Sequence, residues 1–376
     1  MSAMEAEVSP LFALLARHWR LGGVEASAFD ASGMSVGFAL GDGTLALASM
    51  GDEENANVRW RVSIENGRAT VSTRSRPVPP PAIVPIDVAP IRLAPFGDAG
   101  FLVGGASGRL VTVAPDGAVR SLVDMDSGPV EAICATSRQV AFVAAGGLVA
   151  RYGAGDATAR AIARYEEPLR AMAPSPDARH IALGFDGRIA VEPAEDDGAA
   201  RLGFDLAASR VLAWSPDGRI LAAGLDHGGI ALIELETRRV LRLPDYPAPV
   251  RSLDWSADSR LLATAGAFRA IVWSFDAGDG KPKTIETGRV GFVAITVVRL
   301  HPNRPLLALG YENGVIVIAR IGARDELVVR DPSPGAVGGL DWSPDGEHLA
   351  FHASQGGAGA SQGSAGVLDL PSHMFK

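Results

Sequence analysis

Residues 340–350 read LDWSPDGEHLA, and nearly the same phrase stands at 212–222 (LAWSPDGRILA) and 253–263 (LDWSADSRLLA). Each copy has one local grammar. An apolar residue, a variable one and an aromatic follow one another as they do along a strand. Ser, Pro, Asp and Gly then supply a turn: Pro fixes φ, Asp bonds nearby backbone and Gly takes the φ that other residues avoid. An apolar run begins the return, so each copy is a β-hairpin.

Weaker copies begin at Met172 (MAPSPDARHIA), Val298 (VRLHPNRPLLA), Leu93 (LAPFGDAGFLV), Ile133 (ICATSRQVAF) and Ala28 (AFDASGMSVGFA). Most spacings between copies are about 40 residues, a period that signals repeated structural units. A glycine-rich turn follows each return strand, as in ALGDGT (39–44), GGASGR (104–109), LGFDGR (183–188), AGLDHGG (223–229), AGAFRA (265–270) and LGYENG (309–314). A third apolar strand comes next, and several units close on a more polar one, such as ELVVRD from Glu326. Four short strands per unit make one blade of a β-propeller. The return strands LAAG, LLATAG and LLALG are apolar on both faces, as stacked blades require.

With these turns and strands, the chain resembles the WD-repeat β-propeller family along essentially its whole length. It looks like a divergent, bacterial member. The Gly-His pair that often opens such repeats is absent, as is the closing Trp-Asp pair; LDW and LDL are the nearest echoes. The resemblance gives Asp42, Asp186 and Asp226 the role of structural turn aspartates.

The expected fold is therefore all-β, a single propeller of four-stranded blades. Eight hairpins imply eight blades; seven, commoner in the family, is the alternative. The expected blades span 24–76, 89–128, 129–167, 168–207, 208–247, 248–290, 291–334 and 335–370. Residues 1–22 form a closing segment, and 77–88 a proline-rich connector after an overlong first unit. The last unit ends at GVLDL (366–370) without a fourth strand, while ARHWRL lies spare before the first. Arg17 to Leu21 are expected to complete the last blade, which would remove an open edge.

Composition narrows the function. The net charge of −8 and the lack of any Lys/Arg run argue against nucleic acid as a partner. No stretch reaches the roughly 18 apolar residues of a membrane span, and LFALLA near the N-terminus lacks a basic leader, so a cytoplasmic location is expected. The single cysteine, Cys134, sits in an apolar stretch and reads as a small buried hydrophobe. Phosphate-binding loops, nucleophile elbows and His-Glu-x-x-His are absent. DMDSG (124–128) and AEDDG (194–198) lack the trailing acid of a calcium loop. His348 and His352 would lie about 13 Å apart along a strand, too far to share a metal. No catalytic residue, metal or cofactor is expected.

The remaining expectation is a non-catalytic scaffold, monomeric or part of a larger complex, that binds a protein or peptide. The alternative is an enzyme or small-ligand binder at a channel mouth. The turns after the return strands gather with the inter-blade connections on one face, where family members engage partners. The candidates there are Arg109, Phe185, Asp226, His227, Phe268, Arg269, Tyr311 and Glu312. Exposed aromatics and Arg dominate binding hot spots. Trp214, Trp255 and Trp342 are expected to pack.

Overall fold

The computed structural model describes residues 10–51, 61–65, 68–72, 78–137, 139–153, 155–156, 158–195, 198–243, 246–275, 282–289, 291–354 and 363–375. Eight four-stranded antiparallel sheets make an eight-bladed propeller. In blades 2 to 7 the strands run in sequence order from the channel outward, as in blade 5: Ser209–Trp214, Ile220–Leu225, Ile230–Glu234 and Arg239–Leu243. Every inner strand packs on the inner strands of both neighbours, and that of blade 8 on that of blade 1, which closes the ring.

The hairpin phrase explains itself in atoms. In blade 8, Ser343 Oγ donates to Asp345 Oδ1 (2.5 Å) and accepts from His348 N–H (2.9 Å), while Asp345 Oδ1 accepts from Glu347 N–H (3.0 Å). The same three bonds recur around Ser175, Ser215 and Ser256. Each side chain satisfies backbone donors that the turn leaves without a ladder partner.

The aromatic and acidic letters of LDW join blades. Trp342 Nε1 donates to Arg299 O (3.3 Å), Trp255 Nε1 to Ala213 O (3.2 Å) and Trp214 Nε1 to Ala173 O (2.9 Å), each reaching back to the preceding inner strand. The aspartates reach forward. Asp254 Oδ2 accepts from Leu300 N–H of blade 7 (2.6 Å), and Asp341 Oδ2 from Phe29 N–H of blade 1 (2.8 Å).

The middle strands are apolar on both faces because each blade is covered twice. Ile220–Leu225 and Leu306–Tyr311 are buried almost throughout. Blades also approach closely where a side chain would intrude: a Cβ on Gly310 would lie 2.6 Å from Val337 Cγ1 of blade 8.

The N-terminal segment completes an outer position. Ala16–Leu21 pairs with Gly363–Asp369 from Ala16↔Leu368 to Leu21↔Gly363, so the expected closing strand is present as the fourth strand of blade 8. A short helix, Pro10–Leu15, precedes it; Phe12 and Leu15 pack among residues of blades 7 and 8. Arg17 is the latch. Its Nε lies 3.7 Å from Asp369 Oδ2, its Nη1 donates to Ser49 O of blade 1 (3.3 Å), and Asp369 Oδ1 contacts His348 Nδ1 (2.8 Å).

The first unit differs from expectation. Its outer strand is Ala82–Pro85, paired with Thr44–Leu47, so the proline-rich 77–88 stretch supplies a strand rather than only a connector. Prolines at an edge need donate nothing to the ladder. Arg61–Glu65 and Arg68–Ser72 form a separate two-stranded hairpin. The acidic stretch from Asp52 lies outside the described residues.

Candidate partner-binding face

The connections that enter each inner strand and the turns between second and third strands share one face. Blades 6 and 7 place two exposed aromatic rings on it. Phe268, in the turn before Ala270–Ser274, is 49% exposed, and Phe292, in the connection to blade 7, is 92% exposed. Their rings meet edge to face at 6.1 Å. Exposed aromatics in contact, rather than folded inward, give a projecting apolar knob.

Backbone bonds fix the two loops that carry the knob. Ile295 N–H donates to Ala267 O (2.9 Å) and Glu312 N–H to Ala294 O (3.0 Å). Tyr246 Oη accepts from Ala267 N–H (3.0 Å), and Tyr311 Oη from Arg289 N–H (3.1 Å). Gly266 has φ +138°, and a Cβ there would strike Pro249 O at 2.0 Å, so the turn requires glycine. Around the knob run two ion pairs, Arg269–Glu286 (2.8 Å) and Arg251–Glu312 (3.2 Å).

The structure thus brings Phe268, Arg269 and Glu312 together. Tyr311, expected as a surface contact, is only 4% exposed; its ring joins the core between blades 6 and 7 and its hydroxyl holds the loop bearing Phe292. Phe185, likewise expected at the surface, is 1% exposed, packed on Tyr165 at 4.7 Å and covered by the Arg188 guanidinium. An apolar ring gains more by filling the seam between blades than by standing in water.

Arg109 and His227 are exposed on the turns of blades 2 and 5, apart from the knob. Asp226 pairs with Arg210 (2.9 Å), and Asp186 takes Arg170 on both oxygens (3.0 and 2.7 Å), which holds its carboxyl below the usual range. Of the three turn aspartates, Asp42 alone bonds within its own turn, accepting from Thr44 N–H (3.0 Å) and Thr44 Oγ1 (2.7 Å). Phe292 and Tyr246 escaped the sequence reading because both lie in connections outside the repeated phrase. Phe292 could have been found as a large apolar residue between glycine and a strand, in VGFVAITV.

The opposite face carries the serine-aspartate turns. There a cavity of about 340 Å³ adjoins Asp254, Arg299 and Asp341. Burial pushes both carboxyls up to about 6, with Arg299 opposing the rise. Arg299 Nη1 itself donates to Val298 O (2.9 Å) and Ser252 Oγ (3.4 Å). The histidines face other tasks: His352 is buried against Ser27 Oγ (2.8 Å), and His301 Nδ1 accepts from Asn303 N–H within its turn (3.1 Å). Cys134 Sγ donates to Met172 O of blade 4 (3.3 Å), and burial pushes its thiol up to about 12.

Residues 205–258, which hold blade 5 and the inner strand of blade 6, match the family described as the anaphase-promoting complex subunit 4 WD40 domain. The chain is 37% identical over 111 residues to WD repeat-containing protein SL1-17 of Schistosoma mansoni. It is 36% identical over 109 residues to meiotic recombination protein rec14 of Schizosaccharomyces pombe. Eight repeated blades and these matches support the WD-repeat family. Each match covers 28% of this chain and 36% of the relative, so the chain spans about a third of the length of the curated relatives it matches. Both relatives are eukaryotic; a bacterial source stays an expectation from the sequence.

Proposed function

We propose that this propeller is a non-catalytic, cytoplasmic interaction scaffold that binds a protein or peptide on its turn-rich face. The observation that carries the reading is the Phe268–Phe292 pair, two aromatic rings held in water by loops that backbone bonds make rigid. Rigid, exposed aromatics ringed by charge match the make-up of interface hot spots, an apolar centre with a polar rim. The matched relatives are WD-repeat proteins, and scaffolds of this architecture generally act by binding other proteins.

The test is affinity capture on the full chain with identification by mass spectrometry, repeated with Phe268→Ala plus Phe292→Ala. The expected result is loss of a specific partner by at least about tenfold, equivalent to about 1.4 kcal/mol. The variant should melt as the parent does, since neither ring is in the core. Retention of every specific partner by the folded variant overturns the reading.

A further inference from the structure

A second feature of the same face lies between blades 3 and 4. A cavity of about 630 Å³ opens between the turn Gly146–Gly147 and the connection that runs from Tyr165 to Leu169. Its volume falls within the range of about 300–1,000 Å³ usual for ligand sites. Both glycines have positive φ, and a Cβ would strike Ser127 O at Gly146 and Tyr165 O at Gly147. One wall is therefore bare backbone. The floor is apolar, lined by Ala144, Val149, Tyr165 and Phe185. The rim is acidic: Glu131, Glu166 and Glu167 all border the opening and all are exposed.

The charge on that rim is only partly balanced. Arg188 forks onto Glu167 (Nε to Oε2 3.1 Å, Nη2 to Oε1 3.2 Å). Glu131 and Glu166 form no ion pair among the described residues. Arg188 also shows which group this chemistry suits. Its guanidinium carbon sits 4.7 Å over the Phe185 ring and 5.3 Å over the Tyr165 ring while its Nε/Nη2 edge forks onto the Glu167 carboxylate. A planar cation that stacks on aromatics and forks onto carboxylates is a guanidinium rather than an ammonium.

We infer that this pocket receives an arginine side chain of a basic peptide segment in a protein partner. The inference rests on the reading that the turn-rich face binds protein. The side chain lies across the opening, its aliphatic stem over the apolar lining and its guanidinium against Glu131 and Glu166, the two carboxylates that the fold leaves unbalanced. Arg188 and Glu167 remain paired and set the orientation of the rim.

The probe is acetyl-Gly-Arg-Gly-amide, with acetyl-Gly-citrulline-Gly-amide as its uncharged isostere, titrated into the full chain by calorimetry. The arginine peptide is expected to bind and the citrulline peptide to bind at least about tenfold more weakly. Glu131→Gln plus Glu166→Gln should weaken the arginine peptide by a similar factor and leave the melting temperature unchanged, because both side chains are exposed. Equal binding of the two peptides overturns the inference, as does unchanged binding by the folded double variant. The Phe268→Ala plus Phe292→Ala protein separates the two readings. It should bind the arginine peptide as the parent does, so loss of the peptide site with a Phe268-dependent partner retained sinks only the pocket. The reverse pattern sinks only the aromatic face.

Discussion

At the scale of single residues, the repeated phrase is a set of bonds between neighbours. Trp342 ties blade 8 back to blade 7 and Asp341 ties it forward to blade 1. Trp342→Phe keeps most of the ring and removes the bond to Arg299 O. Urea unfolding should show a loss of about 1 kcal/mol, the net value of one such hydrogen bond; unchanged stability would show the indole bond to be idle. The tryptophans and the aspartates of the serine-aspartate hairpin turns were legible in the sequence as structure. The forward-reaching aspartates were not, because Asp in LDW reads as the polar member of an alternating strand. Comparison of LDW with LAW held the clue, since one copy dispenses with the acid.

These aspartates also give the fold a pH signature. Asp254 and Asp341 rise from 3.8 to about 6 on folding, so the native state holds protons the unfolded chain releases. Their contribution is complete below about pH 4 and is lost as pH rises through 6. His18 and His352 are lowered from 6.5 to about 4 by burial, with Arg330 adding to the effect at His18. Their contribution is complete above pH 6.5 and is lost as pH falls toward 4. The two pairs oppose each other in one window. Asp254→Asn plus Asp341→Asn keeps an acceptor for each backbone N–H and removes the acid-favoured pair. Its urea midpoint should fall more steeply between pH 6.5 and 4 than the parent's, whereas parallel profiles would contradict the assignment.

At the scale of elements, strand edges were where the sequence reading was strongest and weakest. The closing strand was legible because one unit lacked a strand and another segment had one to spare. The outer strand of blade 1 was not. Ala82–Pro85 is flanked by prolines, and local chemistry there describes an extended chain without saying what it pairs with. The short helix before the closing strand was missed too, since PLFALL is too brief for a periodicity to show. Arg17→Ala should cost about 3–5 kcal/mol, the usual penalty for stripping one partner from a buried ion pair, because it removes the guanidinium beside buried Asp369. A melting temperature equal to the parent's would argue that the strand pairing alone closes the ring.

At the scale of the whole molecule, the blade count followed from the number of hairpins, whereas the interaction face did not follow from composition. Aromatic residues in equivalent-looking turns divide sharply in the structure: Phe268 stands in solvent, and Phe185 and Tyr311 fill seams. What decides is whether a neighbouring blade offers a gap, and a single repeat carries no record of its neighbour's shape. The face therefore has to be read from the assembled ring, with the aromatic knob on blades 6 and 7 and the acidic pocket between blades 3 and 4.

The closing strand also sets an order of events. His18 and Ser364, bonded across the final seam at 2.8 Å, stand 346 residues apart in the chain. A ribosome therefore makes the strand long before it makes the edge that receives it. Throughout that interval Ala16–Leu21 has no native pair, and seven nascent blades can stack without a closed circle. Completion comes from contacts between the two far ends of the described chain, which places it late in folding. Until then both the strand and the waiting edge are open to the wrong neighbour, including the same edge on another copy.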